Sequence, residues 1–166
     1  MAKNHPFRLI SIILKARRPS RVVDMPVIHD GLLLRKGYDA LTFFGTIVAA
    51  NHEMVEAMTD KMNALKNHEM IHLRQAQDTH DSWLCFYVLY LWHYLRLIPL
   101  NRKYKNAAYE LNPFELEAYR HMCDLGYLSN EKCGKEWRVY ARMKPKERLQ
   151  AFASKTNWPW NGIIAS

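Results

Sequence analysis

Residues 68 to 72 read His-Glu-Met-Ile-His, and this spacing constrains the chain more than any other feature. Two histidines four apart lie one above the other on a helix face, so both imidazoles can reach one metal ion. Glu69 follows the first histidine and points into the same cleft, where it can take a proton from a metal-bound water. The plainer alternative is a surface helix carrying two solvated histidines. A decoy lies upstream, where Asn51-His52-Glu53-Met54 repeats Asn67-His68-Glu69-Met70; position 56 is Glu, so the second histidine is absent there.

The surroundings of the motif bear on that choice. From Met54 to Gln77 the apolar period is helical, and Met58, Met62, Leu65, Glu69, His72 and Ala76 form one stripe. Glu69 and His72 therefore share the face that carries the apolar residues, as a metal site inside a cleft requires. One long helix and a loop followed by a helix capped near Asn67 fit this pattern equally well.

A catalytic zinc usually takes three protein ligands and a water. The stretch Tyr109 to Tyr119 offers two carboxylates at the start of a helix, with Asn112 as N-cap and Pro113 at the first helical position. Glu115, Ala118, Tyr119 and Met122 fall on a mostly apolar face. Glu117, Arg120, His121 and Asp124 fall on the opposite, polar one. A carboxylate on an apolar face is costly to bury unless it is paired or binds metal. Glu115 is thus the candidate third ligand, and Glu117 is read as a solvated or supporting group. Asn112-x-x-Glu115 also has the form of a capping box, which stands as the competing account of Glu115.

The chain of 166 residues is long enough for one domain with its own core. Its net charge of +8 fits attraction to nucleic acid, acidic lipid or acidic polypeptide, although solubility is the preferred reading. Basic residues cluster at Lys15, Arg17, Arg18 and Arg21. Cys85, Cys123 and Cys133 are an odd number without a C-x-x-C pair, which argues against a disulfide scaffold and for a reducing compartment. Phe7 to Leu14 is apolar but interrupted by Arg8 and lacks a cleavage site. A secretory signal is therefore not expected, and a basic amphipathic element lying on a membrane is kept only as the lesser alternative. Trp83 to Ile98 is almost wholly apolar, short for a bilayer span, and reads as a buried core helix, with an interfacial helix second.

Two or three short antiparallel strands are expected between Met25 and Val48. Turns are expected at Asp30-Gly31 and Lys36-Gly37, with runs at Leu32–Arg35 and Ala40–Val48. Further helices are expected from residue 113 to about 126, over Glu131–Tyr140 and over Lys144–Lys155. The tail at Asn157–Gly162 reads as irregular.

The two motifs together resemble known zinc peptidases. H-E-x-x-H on one helix with a glutamate on a second is similar to the gluzincin group. Glu115-x-Glu117-Ala118 resembles the E-x-E-A-D segment of CAAX-processing and HtpX-like membrane metallopeptidases, a resemblance that implies Glu115 as a zinc ligand. Tyr119 stands where that segment has aspartate, so the hydrogen bond this aspartate gives a ligand histidine would have to come from a phenol. More closely, Asn67–Gln75, the aromatic helix after it and Pro113–Tyr119 resemble a family of small proteins from Bacteroidetes-type bacteria. These carry N-H-E-x-I-H-L-R-Q and F-E-x-E-A-Y, and the resemblance covers about residues 40 to 128. It implies a zinc-peptidase core without implying a substrate.

The combined expectation is a mostly helical α+β chain: a basic leader over residues 1–24 and a single zincin-like domain over 25–166. A short antiparallel sheet would pack on the H-E-x-x-H helix beside a second ligand-bearing helix. One Zn2+ would be held by His68, His72 and Glu115. Glu69 would act as general base on a peptide or protein substrate, with Tyr109 or Tyr119 as candidate oxyanion donors. The alternative is a non-catalytic, zinc-stabilised binding module with a basic surface for nucleic acid or anionic membrane. The expected location is cytoplasmic, with peripheral membrane contact left as an open alternative.

Overall fold

The computed structural model describes residues 5–22, 27–29, 34, 38–60 and 63–153. The turns expected at Asp30-Gly31 and Lys36-Gly37, most of the Leu32–Arg35 run, Met62 of the apolar stripe and the tail at Asn157–Gly162 lie outside these residues. In chain order the elements are α1 (His5–Lys15), β1 (Val27–His29), β2 (Ala40–Phe43), β3 (Thr46–Ala49), α2 (His52–Ala57), α3 (Ala64–Asp78) and α4 (Trp83–Leu97). They continue with α5 (Ala107–Glu110), α6 (Pro113–His121), α7 (Trp137–Arg142) and α8 (Pro145–Ala153). The chain is therefore mostly helical with one small sheet, the α+β class expected.

The sheet is ordered β1-β3-β2. Its antiparallel part is the β2–β3 hairpin, in register Leu41 with Val48 and Thr42 with Ile47. The Ala40–Val48 run breaks at Phe44-Gly45, both at positive φ (47° and 83°), as a tight two-residue hairpin turn demands. The expectation of a wholly antiparallel sheet is corrected at β1, which pairs parallel to β3. The cause is topological. The chain leaves β1 and enters β2 at the same end of the sheet, so the hairpin returns β3 into the gap between them, running alongside β1.

The periodic stretch Met54–Gln77 is two helices, α2 and α3. The cap of the second is Asn63, whose Oδ1 accepts from Lys66 N at 2.8 Å. Asn67, the cap position considered from sequence, has another task. Its buried Nδ2 lies 2.9–3.1 Å from the carbonyl oxygens of His121, Met122 and Asp124. Those carbonyls belong to the last residue of α6 and the turn that follows it. One side chain thus fixes α3 against α6.

Around α3 the core forms from α4, α6 and α7. Leu73, Ala76, Trp83, Phe86, Phe114 and Trp137 are buried together, with Phe114 and Trp137 stacked at 4.4 Å. The segment after α1 is tied to this body. Ser20 donates through N and Oγ to the Asp81 carboxylate, both at 2.6 Å, and Trp83 Nε1 donates to Arg17 O at 2.8 Å.

One expectation fails on α4. Its Trp83, Phe86, His93 and Leu97 are buried, but Leu84, Val88, Leu91, Trp92 and Leu95 are each more than half exposed. At 100° per residue those five make one continuous stripe opposite the buried face. The helix is apolar all round, yet the described residues pack on one side of it only, so among them it is not a fully buried core helix. By length and composition Trp83–Arg102 could cross a bilayer.

Candidate metal centre

Helix α3 presents His68, Glu69 and His72 to the interior, and all three are buried. Helix α6 brings Glu115 opposite them, also buried. Its cap explains why this carboxylate is free to do so. Asn112 Oδ1 accepts from Phe114 N at 3.3 Å, and the Glu115 side chain meets the histidines instead of turning back in a capping box.

The donor atoms converge. His68 Nε2 and His72 Nε2 are 3.1 Å apart, His68 Nε2 and Glu115 Oε2 3.3 Å, and His72 Nε2 and Glu115 Oε1 3.6 Å. Ligands held about 2.0–2.2 Å from one tetrahedral ion would be separated by about 3.3 Å, so the triad has the dimensions of such a site. Glu115 Oε2 is buried and accepts no aligned hydrogen bond, despite its closeness to His68. The atom faces a shared point rather than a single donor.

The tautomer of His72 follows from its neighbours. Gln75 Nε2 donates to Phe114 O at 2.9 Å and to Glu117 Oε2 at 3.0 Å, which turns Gln75 Oε1 toward His72 Nδ1, 2.7 Å away. An amide oxygen only accepts, so Nδ1 carries the proton and the Nε2 lone pair faces the triad. That lone pair, the edge of His68 and a carboxylate crowd one dry volume, which calls for a cation. The protonation tendencies agree. Burial pulls the His68 imidazole down, but the Glu115 carboxylate and the Glu69 charge outweigh it, so its pKa is raised. Burial pushes Glu115 up, yet His72 and His68 together hold it below the ordinary carboxylate value. The buried His68, His72 and Glu115 group could hold a metal ion.

Glu69 lies beside the triad and is oriented from the sheet. Thr42 Oγ1 donates to Glu69 Oε2 at 2.6 Å, and Thr42 is itself buried on β2. Glu69, His72 and Glu115 form one end of a cavity of about 400 Å3.

Comparison with family models, with curated proteins and with solved structures finds no match to this chain. The assignment of the centre therefore rests on its own residues.

Of the two readings of Glu117, the structure bears out the supporting group and overturns the solvated one. The residue is fully buried, not solvated, and its carboxylate accepts from Gln75 Nε2, Tyr127 OH, Gly134 N and Trp137 N at 2.6–3.0 Å. Gly134 fits there because it has no side chain. It sits at φ +80°, and a Cβ would lie 2.3 Å from the backbone of Arg74. Glu117 acts on the triad only through Gln75. Tyr119 stands at the position of the missing aspartate. Its ring lies 4.4 Å from that of His68, and its hydroxyl donates to Tyr109 OH at 3.1 Å.

Three residues of the centre escaped the sequence reading. Gln75 sits three after His72, a helical neighbour that spacing could have flagged. Tyr90 OH donates to Glu115 Oε1 at 2.7 Å from within the aromatic run of α4, where nothing distinguishes it from its neighbours. Thr42 carries no local signal.

Proposed function

We propose that the chain is a zinc-dependent hydrolase of peptide bonds, and the observation that carries this reading is the spacing of His68 Nε2, His72 Nε2 and Glu115. Two imidazoles and one carboxylate at this spacing are a donor set that would suit zinc. When bound there, the ion supplies a Lewis acid and a water of lowered pKa. Glu69, steadied by Thr42, takes the proton of the attacking water and passes it to the leaving amine. Tyr90 holds Glu115 in orientation, and the Gln75–Glu117 pair holds His72. Tyr109 lines the same cavity, and its hydroxyl would be the donor to a developing oxyanion.

The test is the metal content of purified chain by mass spectrometry, followed by digestion of a mixed peptide library. One zinc per chain, lost in His72→Ala, with cleavage by the zinc-loaded protein, is the expected result. Protein that holds zinc but cleaves no peptide would favour the zinc-stabilised binding module instead.

The exposed face of α4 supports peripheral attachment to an anionic membrane. Beside its five apolar side chains stands Arg96, whose guanidinium lies 5.5 Å over the Trp92 ring, and the Arg17 backbone is held at the Trp83 end of the helix.

A further inference from the structure

We propose that the cavity in front of the triad is a specificity pocket for a bulky, uncharged side chain. The substrate would then be a peptide with a large apolar or aromatic residue beside the bond cleaved, an inference that rests on the peptidase reading above. The cavity holds about 400 Å3, within the range of small-ligand sites. Helix α4 contributes Phe86, Tyr90 and Tyr94, which share one face at four-residue steps, and β2 contributes Ala40. Tyr38 and Tyr109 close another side, their rings edge to face at 5.3 Å.

Tyr90 and the neighbouring Tyr87 offer rings rather than hydroxyls. Tyr90 OH is bound to Glu115, and Tyr109 OH accepts from Tyr119. Tyr87 OH donates to Thr42 O at 3.2 Å and accepts from Phe44 N at 3.0 Å. No lysine or arginine is among the described lining residues. The charged groups there are Glu69 and Glu115, directed at Thr42, Tyr90 and the triad. An acidic side chain would thus meet no lysine or arginine in the pocket wall, and a basic one would lose its water to apolar rings. An aromatic side chain can pack edge to face on rings already arranged that way.

Ala40 sets the depth of the pocket. It is two residues from Thr42 on β2 and so projects to the same side of the sheet, toward the triad. Ala40→Trp would fill the volume from the sheet side while leaving the triad's own contacts in place.

The experiment measures two things on the zinc-loaded full chain. Calorimetry compares two peptide hydroxamates that differ only in one side chain, benzyl against carboxymethyl, and mass spectrometry maps cleavage in a peptide library. The benzyl compound should bind at least about tenfold more tightly, since one well-placed apolar group in such a pocket discriminates by about 10–200-fold. Ala40→Trp should abolish that preference and turn any cleavage toward small side chains. Equal binding, no binding at confirmed zinc occupancy, or preference for an acidic or a basic side chain would overturn the pocket. Selective benzyl binding with no peptide cleaved would leave the pocket standing and remove the peptidase reading. Cleavage without apolar preference would do the reverse.

Discussion

His72 Nδ1 and Gln75 Oε1 are 2.7 Å apart, and the far side of Gln75 is anchored on Glu117 and Phe114 O. A histidine ligand is oriented by what its other nitrogen meets. Gln75→Leu removes that acceptor while keeping the volume. Zinc affinity, read by competition with a chromogenic chelator, should fall by about 10–100-fold. Unchanged affinity would show that α3 alone sets the ring.

Thr42 Oγ1 and Glu69 Oε2, 2.6 Å apart, form the corresponding pair for the base. Glu69→Gln keeps the shape but accepts no proton, so zinc stays and kcat falls by about 10²–10⁴-fold with KM little changed. Thr42→Val should lower kcat by about tenfold, in line with one hydrogen bond to a charged group. Steady-state kinetics on any peptide that the wild type cleaves decides both, and a Glu69→Gln protein as fast as wild type would sink the mechanism.

Burial pushes the Glu110 carboxyl up to about 7 from 4.5. The folded chain holds this proton more tightly than the unfolded one. The contribution to stability is therefore full below pH 4.5 and is lost as pH rises through 7. Glu110→Gln should raise Tm at pH 8 and leave it unchanged at pH 4. The side chain is half-buried, so screening trims the gain to about 1 kcal/mol, or about 2–4 °C. Thermal melts at the two pH values test this; an equal shift at both would remove Glu110 from the account.

The stripe on α4 should bind vesicles. Full chain should co-sediment with phosphatidylserine-containing vesicles, more weakly in high salt because the cationic share is screened. Leu91→Asp with Leu95→Asp should release it, since both side chains are exposed and the fold does not depend on them. A wild type that ignores vesicles but dimerises in their absence would assign the stripe to a second copy of the chain.

Much of the site was legible because it is local. His68 and His72 are related by one helical turn, and Asn112-Pro113 marks the start of α6 by its own chemistry. The solvated reading of Glu117 failed for a reason built into helical periodicity. The face opposite an apolar stripe is assumed to meet water, but here the turns before α7 and α7 itself cover it, and Gly134 and Trp137 donate to the carboxylate. The same assumption, reversed, misplaced α4. An all-apolar helix implies cover on every side, and the described residues cover only one.

By itself, then, the sequence determined the phase of each helix: which of its residues share a side, hence two histidines and Glu69 on α3 and Glu115 apart from Glu117 on α6. A period of 3.6 residues depends on nothing beyond the segment. Tertiary structure alone decided what each side meets. Thr42 comes to Glu69 from 27 residues upstream, Tyr90 to Glu115 from 25, and Gln75 to Glu117 from 42. Such pairs depend on how helices and sheet pack across the whole core, and no local pattern encodes that.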